Sequence, residues 1–457
     1  MDCNTIRTRS QLRSTLPCPG GPACRSRVDG LVMHRVVIVG GGAGGVELAA
    51  ALGRQSQKLK MKVSLVDCAS QHLWKPRLHE VAAGVLGDSG DAIAYLALGQ
   101  ANGFRFYLGA LVGLDVSAKT IAIGPVLTAR GDTLLCDRLL KYDSLVLAFG
   151  SEVNDFGTPG VREYCHVLDD GECALAFQKQ FLEEAVKISE ESTSRLRIGI
   201  VGAGATGVEL AAELHRAVAS MHRVGGLMPV DKLAVTLIDM APCVLAGSAP
   251  EVSSFASSAM QKLGVRLRLN DAVTQVMPNG FVLKSGETVP CDLRVWASGV
   301  IGRPLAAKLN LELDRSRRIV CDAWLRCTGT EDVYAMGDCA AVVDPQTDRP
   351  LPTTAQVAHQ QAAYLCRRLA QRPSQSSMEA FQYRDRGSLV SLGTQSTAGE
   401  FPVARRRVWT FNGTLPKFAY LSLHLMHRAT LIGWRRAVTL MLADGLKRTV
   451  APPVKLH

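Results

Sequence analysis

The feature that most constrains this chain is a strand, glycine-rich turn, helix and strand unit that occurs twice, far apart. In the first copy the run Arg35-Val36-Val37-Ile38-Val39 enters Gly40-Gly41-Gly42-Ala43-Gly44-Gly45, and the helical pattern Val46-Glu47-Leu48-Ala49-Ala50-Ala51-Leu52 follows at once. A second strand, Lys62-Val63-Ser64-Leu65-Val66, ends at Asp67, 22 residues beyond Gly45. The second copy reads Arg197-Ile198-Gly199-Ile200-Val201, then Gly202-Ala203-Gly204-Ala205-Thr206-Gly207 and a helix from Val208 to Leu214. Its next strand, Ala234 to Ile238, ends at Asp239.

Short β-branched runs suit buried parallel strands. In each G-x-G-x-x-G one glycine makes the tight turn, one admits a pyrophosphate to the backbone, and one lets helix and strand pack closely. The helix N-terminus offers free N–H groups and partial positive charge to the phosphates. The acid at the end of the second strand meets the ribose hydroxyls. One glycine-rich turn alone is weak evidence. With strand, helix and terminal acid in place twice, the pattern predicts an α/β protein with two Rossmann-like dinucleotide-binding domains. Gly40, Gly42, Gly45 and Asp67 are the candidate contacts of the first nucleotide, and Gly202, Gly204, Gly207 and Asp239 those of the second.

The spacing implies that the second domain is inserted in a split first one. Leu145-Val146-Leu147-Ala148-Phe149-Gly150 and Leu293-Arg294-Val295-Trp296-Ala297-Ser298-Gly299 read as paired crossings, and Asp332-Val333-Tyr334-Ala335-Met336-Gly337-Asp338 as a strand returning to the first domain. The expected boundaries are 34–152 and 301–385 for the split domain, 153–300 for the insert, 1–33 for a disordered N-terminal extension and 386–457 for a membrane-associating region. Asp239 bears on cofactor choice, because a carboxylate bonds a ribose 2′-hydroxyl but repels a 2′-phosphate. The residues after it, Met240-Ala241-Pro242-Cys243, bring no Arg or Lys, so NADH is favoured over NADPH.

The double motif, the crossings and Tyr334-Ala335-Met336-Gly337-Asp338 resemble the two-dinucleotide flavoprotein reductases. That resemblance implies FAD in the first site, a nicotinamide dinucleotide in the inserted one, and Asp338 on the flavin's ribityl chain. Disulfide reductases of this superfamily need two cysteines on the helix after the second strand. Here that stretch is His72-Leu73-Trp74-Lys75-Pro76-Arg77-Leu78-His79-Glu80-Val81-Ala82-Ala83-Gly84, without one.

The same stretch, with Pro352-Thr353-Thr354-Ala355-Gln356-Val357-Ala358-His359-Gln360-Gln361, is similar to type II NADH:quinone oxidoreductases. These are single-chain flavoproteins that reduce a membrane quinone without pumping protons. The resemblance runs from about Arg35 to about Leu442 and is weakest over 386–420, around Arg405-Arg406-Arg407-Val408-Trp409 and Asn412-Gly413-Thr414-Leu415-Pro416. It implies that Pro76, Gly150, Ala355 and Gln356 join the FAD site and that Gln356, Gln360 and Gln361 line the quinone entry. It also implies that Glu209 contacts the nicotinamide end of NADH. From the residues alone, the glutamines could form a solvated helix face and Glu209 could be a first-turn acid favoured by the helix dipole.

Charge and cysteine usage narrow the alternatives. Of the net charge of +11, residues 1–33 carry +3 and residues 401–457 carry +9, leaving the body at −1. A nucleic-acid enzyme would spread basic charge along a groove of its folded body, so no nucleic-acid partner is expected. Thirteen cysteines are scattered without a C-x-x-C pair, and neither zinc nor a disulfide framework is expected. Residues 1–32 are rich in Arg, Pro and Gly without a secretory apolar core. They read as a transit peptide or as an extension ahead of a start at Met33.

From Lys417 to Val450, Leu, Met, Trp and Phe alternate with Arg428, Arg435, Arg436, Lys447 and Arg448. Charges interrupt each apolar run too early for a spanning helix, and the pattern describes amphipathic helices lying in a lipid interface. The alternatives are a subunit contact, which would make a homodimer, or core helices. The expected setting is a peripheral enzyme on the cytoplasmic face of the inner cell membrane. The expected reaction passes two electrons from NADH through FAD to a membrane quinone. Two rivals share the fold: a sulfide:quinone oxidoreductase using cysteines such as Cys165 and Cys321, and a non-catalytic NAD(H)-sensing flavoprotein.

Overall fold

A computed structural model describes residues 33–86, 92–190, 194–223, 228–371, 379–392, 397–403, 407–413 and 415–450. The N-terminal extension to Val32, with Arg405, Arg406, Thr414 and Lys455, lies outside the described residues.

Two parallel five-stranded sheets organise the chain. Its strands and helices used below run β1 (His34–Val39), α1 (Ala43–Gly53), β2 (Met61–Asp67), α2 (Leu78–Ala82), β3 (Arg105–Leu108) and β4 (Ser144–Leu147). Then come β5 (His166–Val167), α3 (Gly171–Glu190), β6 (Leu196–Val201), α4 (Ala205–Arg223), β7 (Leu233–Ile238), β8 (Arg266–Arg268), β9 (Leu293–Trp296) and β10 (Val333–Ala335). The C-terminal part holds α5 (Ala355–Ala370), β11 (Ser388–Ser391), β12 (Thr397–Val403), β13 (Arg407–Gly413), α6 (Leu415–Ile432) and α7 (Trp434–Val450).

The first sheet has the order β10-β4-β1-β2-β3 and the second β5-β9-β6-β7-β8, so each glycine-motif strand is central. All pairings within both sheets are parallel. Val36, Val37, Ile38 and Val39 are all buried, as are Ile198, Ile200 and Val201, because each sheet is covered on both faces, with Val201 packing against Phe281, Leu283 and Val289 of a small antiparallel sheet. The chain leaves the first sheet after β4 and returns after β9. These two passages, Ser151–Val153 and Val300–Gly302, pair antiparallel side by side.

Two large apolar cores follow the two sheets. Leu78, Val81, Ala82 and Ala83 of α2 and its C-terminal end join the second core, although they follow β2 of the first sheet. Strands β11, β12 and β13 form an antiparallel sheet where the sequence pattern is weak, and Val390, Leu392 and Ala398 bury in that second core.

Helix α6 turns His427, Arg428 and Leu431 inward and leaves Leu423 and Met426 exposed. Arg428, expected on a basic outer face, is only 5% exposed, which corrects that reading. On α7, Trp434, Val438, Leu440, Met441, Leu442 and Leu446 are exposed beside the exposed Arg435 and Arg436. Among the described residues no helix is long and apolar enough to cross a membrane.

Candidate functional site

The two glycine turns have the same geometry. Gly40 and Gly202 have φ of 106° and 110°, which a side chain rarely adopts. A Cβ on Gly45 would lie 1.9 Å from the Gly40 carbonyl oxygen, and one on Gly207 would lie 2.0 Å from that of Gly202, so both glycines serve close helix–strand packing. By contrast, a Cβ on Gly42 or Gly204 would meet nothing within 4 Å. The middle glycine of each motif thus opens onto space at a helix N-terminus, the place where a pyrophosphate can approach the backbone. Gly150, at φ 74°, faces open space in the same way.

The strand-end acids are also equivalent. Asp67 accepts from the Gly41 N–H at 2.5 Å and the Ala69 N–H at 2.7 Å. Asp239 accepts from the Ala203 N–H at 2.5 Å and the Ala241 N–H at 2.8 Å. Each carboxylate therefore braces its own glycine turn, and its remaining lone pairs can receive ribose hydroxyls. One difference separates the turns. A Cβ on Gly44 would lie 2.4 Å from Met336 Cε and 2.8 Å from the Ala358 carbonyl oxygen, because α5 packs onto α1 there. The second motif has Thr206 at the corresponding position.

Helix α5 begins beside the turn that carries Asp338. Its Thr354 side chain caps it by accepting from the Val357 N–H at 3.3 Å. Gln361, expected to line the quinone entry, is instead 1% exposed and accepts from the Gly337 N–H at 2.6 Å, tying the helix to the Asp338 turn, which corrects that reading. Gln356 and Gln360 lie on another face, and Gln360 donates to Gln356 Oε1 at 3.3 Å. Gln356 accepts from the Arg386 N–H at 2.7 Å and donates to the Gly387 carbonyl at 3.1 Å. Gln360 accepts from the Arg384 N–H at 3.0 Å and donates to its carbonyl at 2.8 Å. These two amides hold segment 384–387 against the helix rather than standing in solvent. Asp338 accepts from Ser151 Oγ at 3.1 Å, and burial holds its carboxyl above the usual range. Ala355 opens α5, and Pro76 lies in the single 3₁₀ turn ahead of α2.

Glu209 sits where α4, α2 and β11 meet and is 7% exposed. It accepts from the Ser391 N–H at 3.0 Å and lies 3.3 Å from His79 Nδ1. Burial pushes its carboxyl up to about 8, with Glu80 and Glu213 adding to the shift against the Ser391 N–H. At neutral pH it holds a proton. Burial also lowers His79 to about 4, and its Nε2 is buried without a hydrogen-bond partner. Beside them, Arg77 donates twice to Glu80, at 2.7 Å each.

Several residues here were not singled out from the sequence. Tyr95 Oη and His72 Nδ1 both donate to the Gly41 carbonyl, at 2.7 and 2.9 Å. Glu47 of α1 lies within 2.5 Å of His359 and 2.7 Å of His427, and His427 meets His72 at 2.8 Å. Glu47 and His72 stand inside quoted motifs, but the histidines they meet, His359 and His427, are hundreds of residues away.

The pyridine nucleotide-disulphide oxidoreductase family model matches residues 34–362. A type II NADH:quinone oxidoreductase of Haemophilus influenzae is 36% identical over 445 residues, 93% of this chain and 100% of that protein. The chain belongs to the type II NADH:quinone oxidoreductases. A second family member, the Ndh protein of Mycobacterium tuberculosis, is 30% identical over 90% of this chain and 87% of its own length. Among solved structures, NDH2 of Plasmodium falciparum in complex with NADH shares the fold, with a TM-score of 0.78 at 19% identity over 93% of this chain and 100% of that one. The sulfide:quinone oxidoreductase of Aquifex aeolicus superposes at 0.68 with 18% identity, over 92% and 96% of the chains. The cysteines that such an enzyme would use do not come together here. Cys165 packs into a small core with Cys291, whereas Cys321 packs against the first-sheet core.

Proposed function

We propose that this chain oxidises NADH and delivers two electrons to a membrane quinone, with FAD as resident cofactor and without proton pumping. The observation that carries the proposal is the duplicated turn, in which Gly42 and Gly204 open onto space while Asp67 and Asp239 brace the loops. FAD, when bound, supplies a two-electron carrier between a hydride donor and a quinone.

On this reading residues 34–152 and 301–385 form the FAD-binding domain, with 153–300 inserted as the NADH-binding domain and 386–457 associating with the membrane. Gly40, Gly42, Gly45, Asp67, Pro76, Gly150, Asp338, Ala355 and Gln356 hold FAD. Gly202, Gly204, Gly207 and Asp239 hold NADH. Glu209, protonated at neutral pH, positions the nicotinamide end by donating a hydrogen bond. Gln356 and Gln360 serve the quinone side. Gln361, buried against Gly337, supports the Asp338 turn from behind.

The exposed face of α6 and α7 supports the membrane part of the proposal. It offers Leu, Met, Val and Trp side chains beside Arg435 and Arg436, a composition suited to the lipid interface. Apolar burial is not screened by salt, while the basic contribution of about 1 kcal/mol per residue near anionic lipid is. The enzyme then works at the cytoplasmic face of the cell membrane.

Steady-state NADH oxidation with a water-soluble quinone tests the reaction, and vesicle co-sedimentation of the full chain and a chain ending near Pro416 tests the attachment. Quinone-dependent turnover and loss of sedimentation on truncation are expected. No quinone stimulation would refute the activity, and equal sedimentation would place the anchor elsewhere.

A further inference from the structure

A tight hairpin lies beneath the turn that carries Asp338. Its ends are Cys321 and Cys327, which face each other as an antiparallel bridge. The Asp322 N–H donates to the Arg326 carbonyl at 2.9 Å, and the Thr328 N–H donates to the Val320 carbonyl at 3.1 Å. Those bonds flank the cysteines without joining them, so Cys321 and Cys327 occupy a non-hydrogen-bonded cross-strand pair. In such a pair the Cα atoms stand about 4.5 Å apart and the side chains lie close together on one face. That separation is within the range a disulfide spans. Both thiols are free, and that of Cys321 donates to the Ile319 carbonyl at 3.4 Å.

The hairpin is held in this shape by its own side chains. Asp322 accepts from the Trp324 N–H at 2.8 Å, the Arg326 N–H at 2.9 Å and Arg326 Nε at 2.8 Å. It is also fixed on both sides of the Asp338 turn. The Cys321 N–H donates to the Ala341 carbonyl at 3.0 Å, and the Cys327 N–H donates to the Val333 carbonyl at 2.9 Å. Ring closure between the cysteines therefore asks for little backbone movement.

We propose that Cys321 and Cys327 form a peroxide-responsive dithiol, oxidised to a disulfide directly beneath the Asp338 turn. Cys321 is half-buried and Cys327 buried, so Cys321 meets the oxidant first. Its sulfur attacks one oxygen of hydrogen peroxide, the O–O bond breaks, and Cys321 becomes a sulfenic acid with release of one water. The Cys327 sulfur then displaces the sulfenic hydroxyl, which leaves as a second water with the Cys327 proton. The S–S bond forms, the two thiols lose two electrons and two protons, and peroxide gains them.

The test is peptide mapping of the FAD-loaded full chain before and after dilute hydrogen peroxide, with remaining thiols blocked. Cleavage after Arg318 and Arg326 isolates Cys321 in an eight-residue peptide and puts Cys327 at the start of the next. The expected result is a linked pair of peptides, lighter by two hydrogens than their sum and separated by a dithiol reductant. The next peptide also contains Cys339 and Cys366, so the map is repeated on Cys339→Ser and Cys327→Ser. The link should persist in the first and vanish in the second. An unlinked Cys321 peptide after peroxide, or a link that needs Cys339 or Cys366, would overturn the proposal.

Discussion

His427, on the C-terminal helix α6, donates a 2.7 Å hydrogen bond to Glu47, on the helix that follows the first glycine turn. The bond continues a chain. His72 donates through Nδ1 to the Gly41 carbonyl, and the Nε2 atoms of His72 and His427 meet at 2.8 Å. The Gly41 carbonyl and the Glu47 carboxylate are both acceptors, so each Nδ1 carries its proton. Burial drops His72 to about 3, and the C-terminal helix is locked to the first nucleotide turn through Glu47, His427 and His72.

Replacing Glu47 with Gln should therefore weaken the chain most at mid-range pH. Burial raises the Glu47 carboxyl, but hydrogen bonds from His359 and His427 outweigh it and hold the group at about 2 against 4.5 for a free one. Its contribution is complete above pH 4.5 and is lost as the pH falls towards 2. Urea unfolding at pH 7 should show a loss of roughly 1.5–3 kcal/mol in Glu47→Gln. The difference from the unmodified chain should shrink through that acid window, and a constant difference would contradict the assignment.

Glu209 has the opposite sign. Its folded value of about 8 exceeds the free value of 4.5, so the folded chain keeps a proton that the unfolded chain releases. The associated stability is complete below pH 4.5 and is lost as the pH rises through about 8. Glu209→Gln keeps the shape without the ionisation, so its unfolding midpoint should fall less steeply between those limits. The expected kinetic effect is a loss of about tenfold in kcat/KM for NADH, the worth of one hydrogen bond. Parallel pH–stability curves for the two proteins would show that Glu209 does not titrate in this range.

The local grammar was legible because it is local. Strand, turn, helix and acid are fixed by neighbours along the chain, and Gly40, Gly42, Gly45 and Asp67 stand in one 28-residue stretch. The helical spacing also set Gln356 and Gln360 on one face, as their mutual hydrogen bond records. What escaped was long-range pairing. Nothing near Glu47 in sequence announces His359 or His427, and nothing near Glu209 announces Ser391. Arg428 read as a surface charge because an amphipathic pattern cannot tell a lipid-facing helix side from one packed on a neighbouring core. The sheet β11-β12-β13 was obscured by Gly399, Pro402 and Gly413, residues that weaken a strand signal.

Asp239→Ala should narrow the preference for NADH over NADPH. The carboxylate braces the second glycine turn, and none of the four residues after it is an Arg or Lys that could receive a 2′-phosphate. Loss of such a polar interaction is commonly worth about 1–3 kcal/mol. The ratio of kcat/KM values for the two nucleotides is the readout, and equal efficiency in the unmodified enzyme would remove the basis for this reading.

The central claim is that one flavin connects NADH to quinone. Anaerobic absorbance spectroscopy of the purified, FAD-loaded protein tests it without relying on turnover. Addition of NADH should bleach the yellow flavin band, and one equivalent of a soluble quinone should restore it. Protein that stays yellow with NADH, or that bleaches and is not recoloured by quinone, would contradict the account.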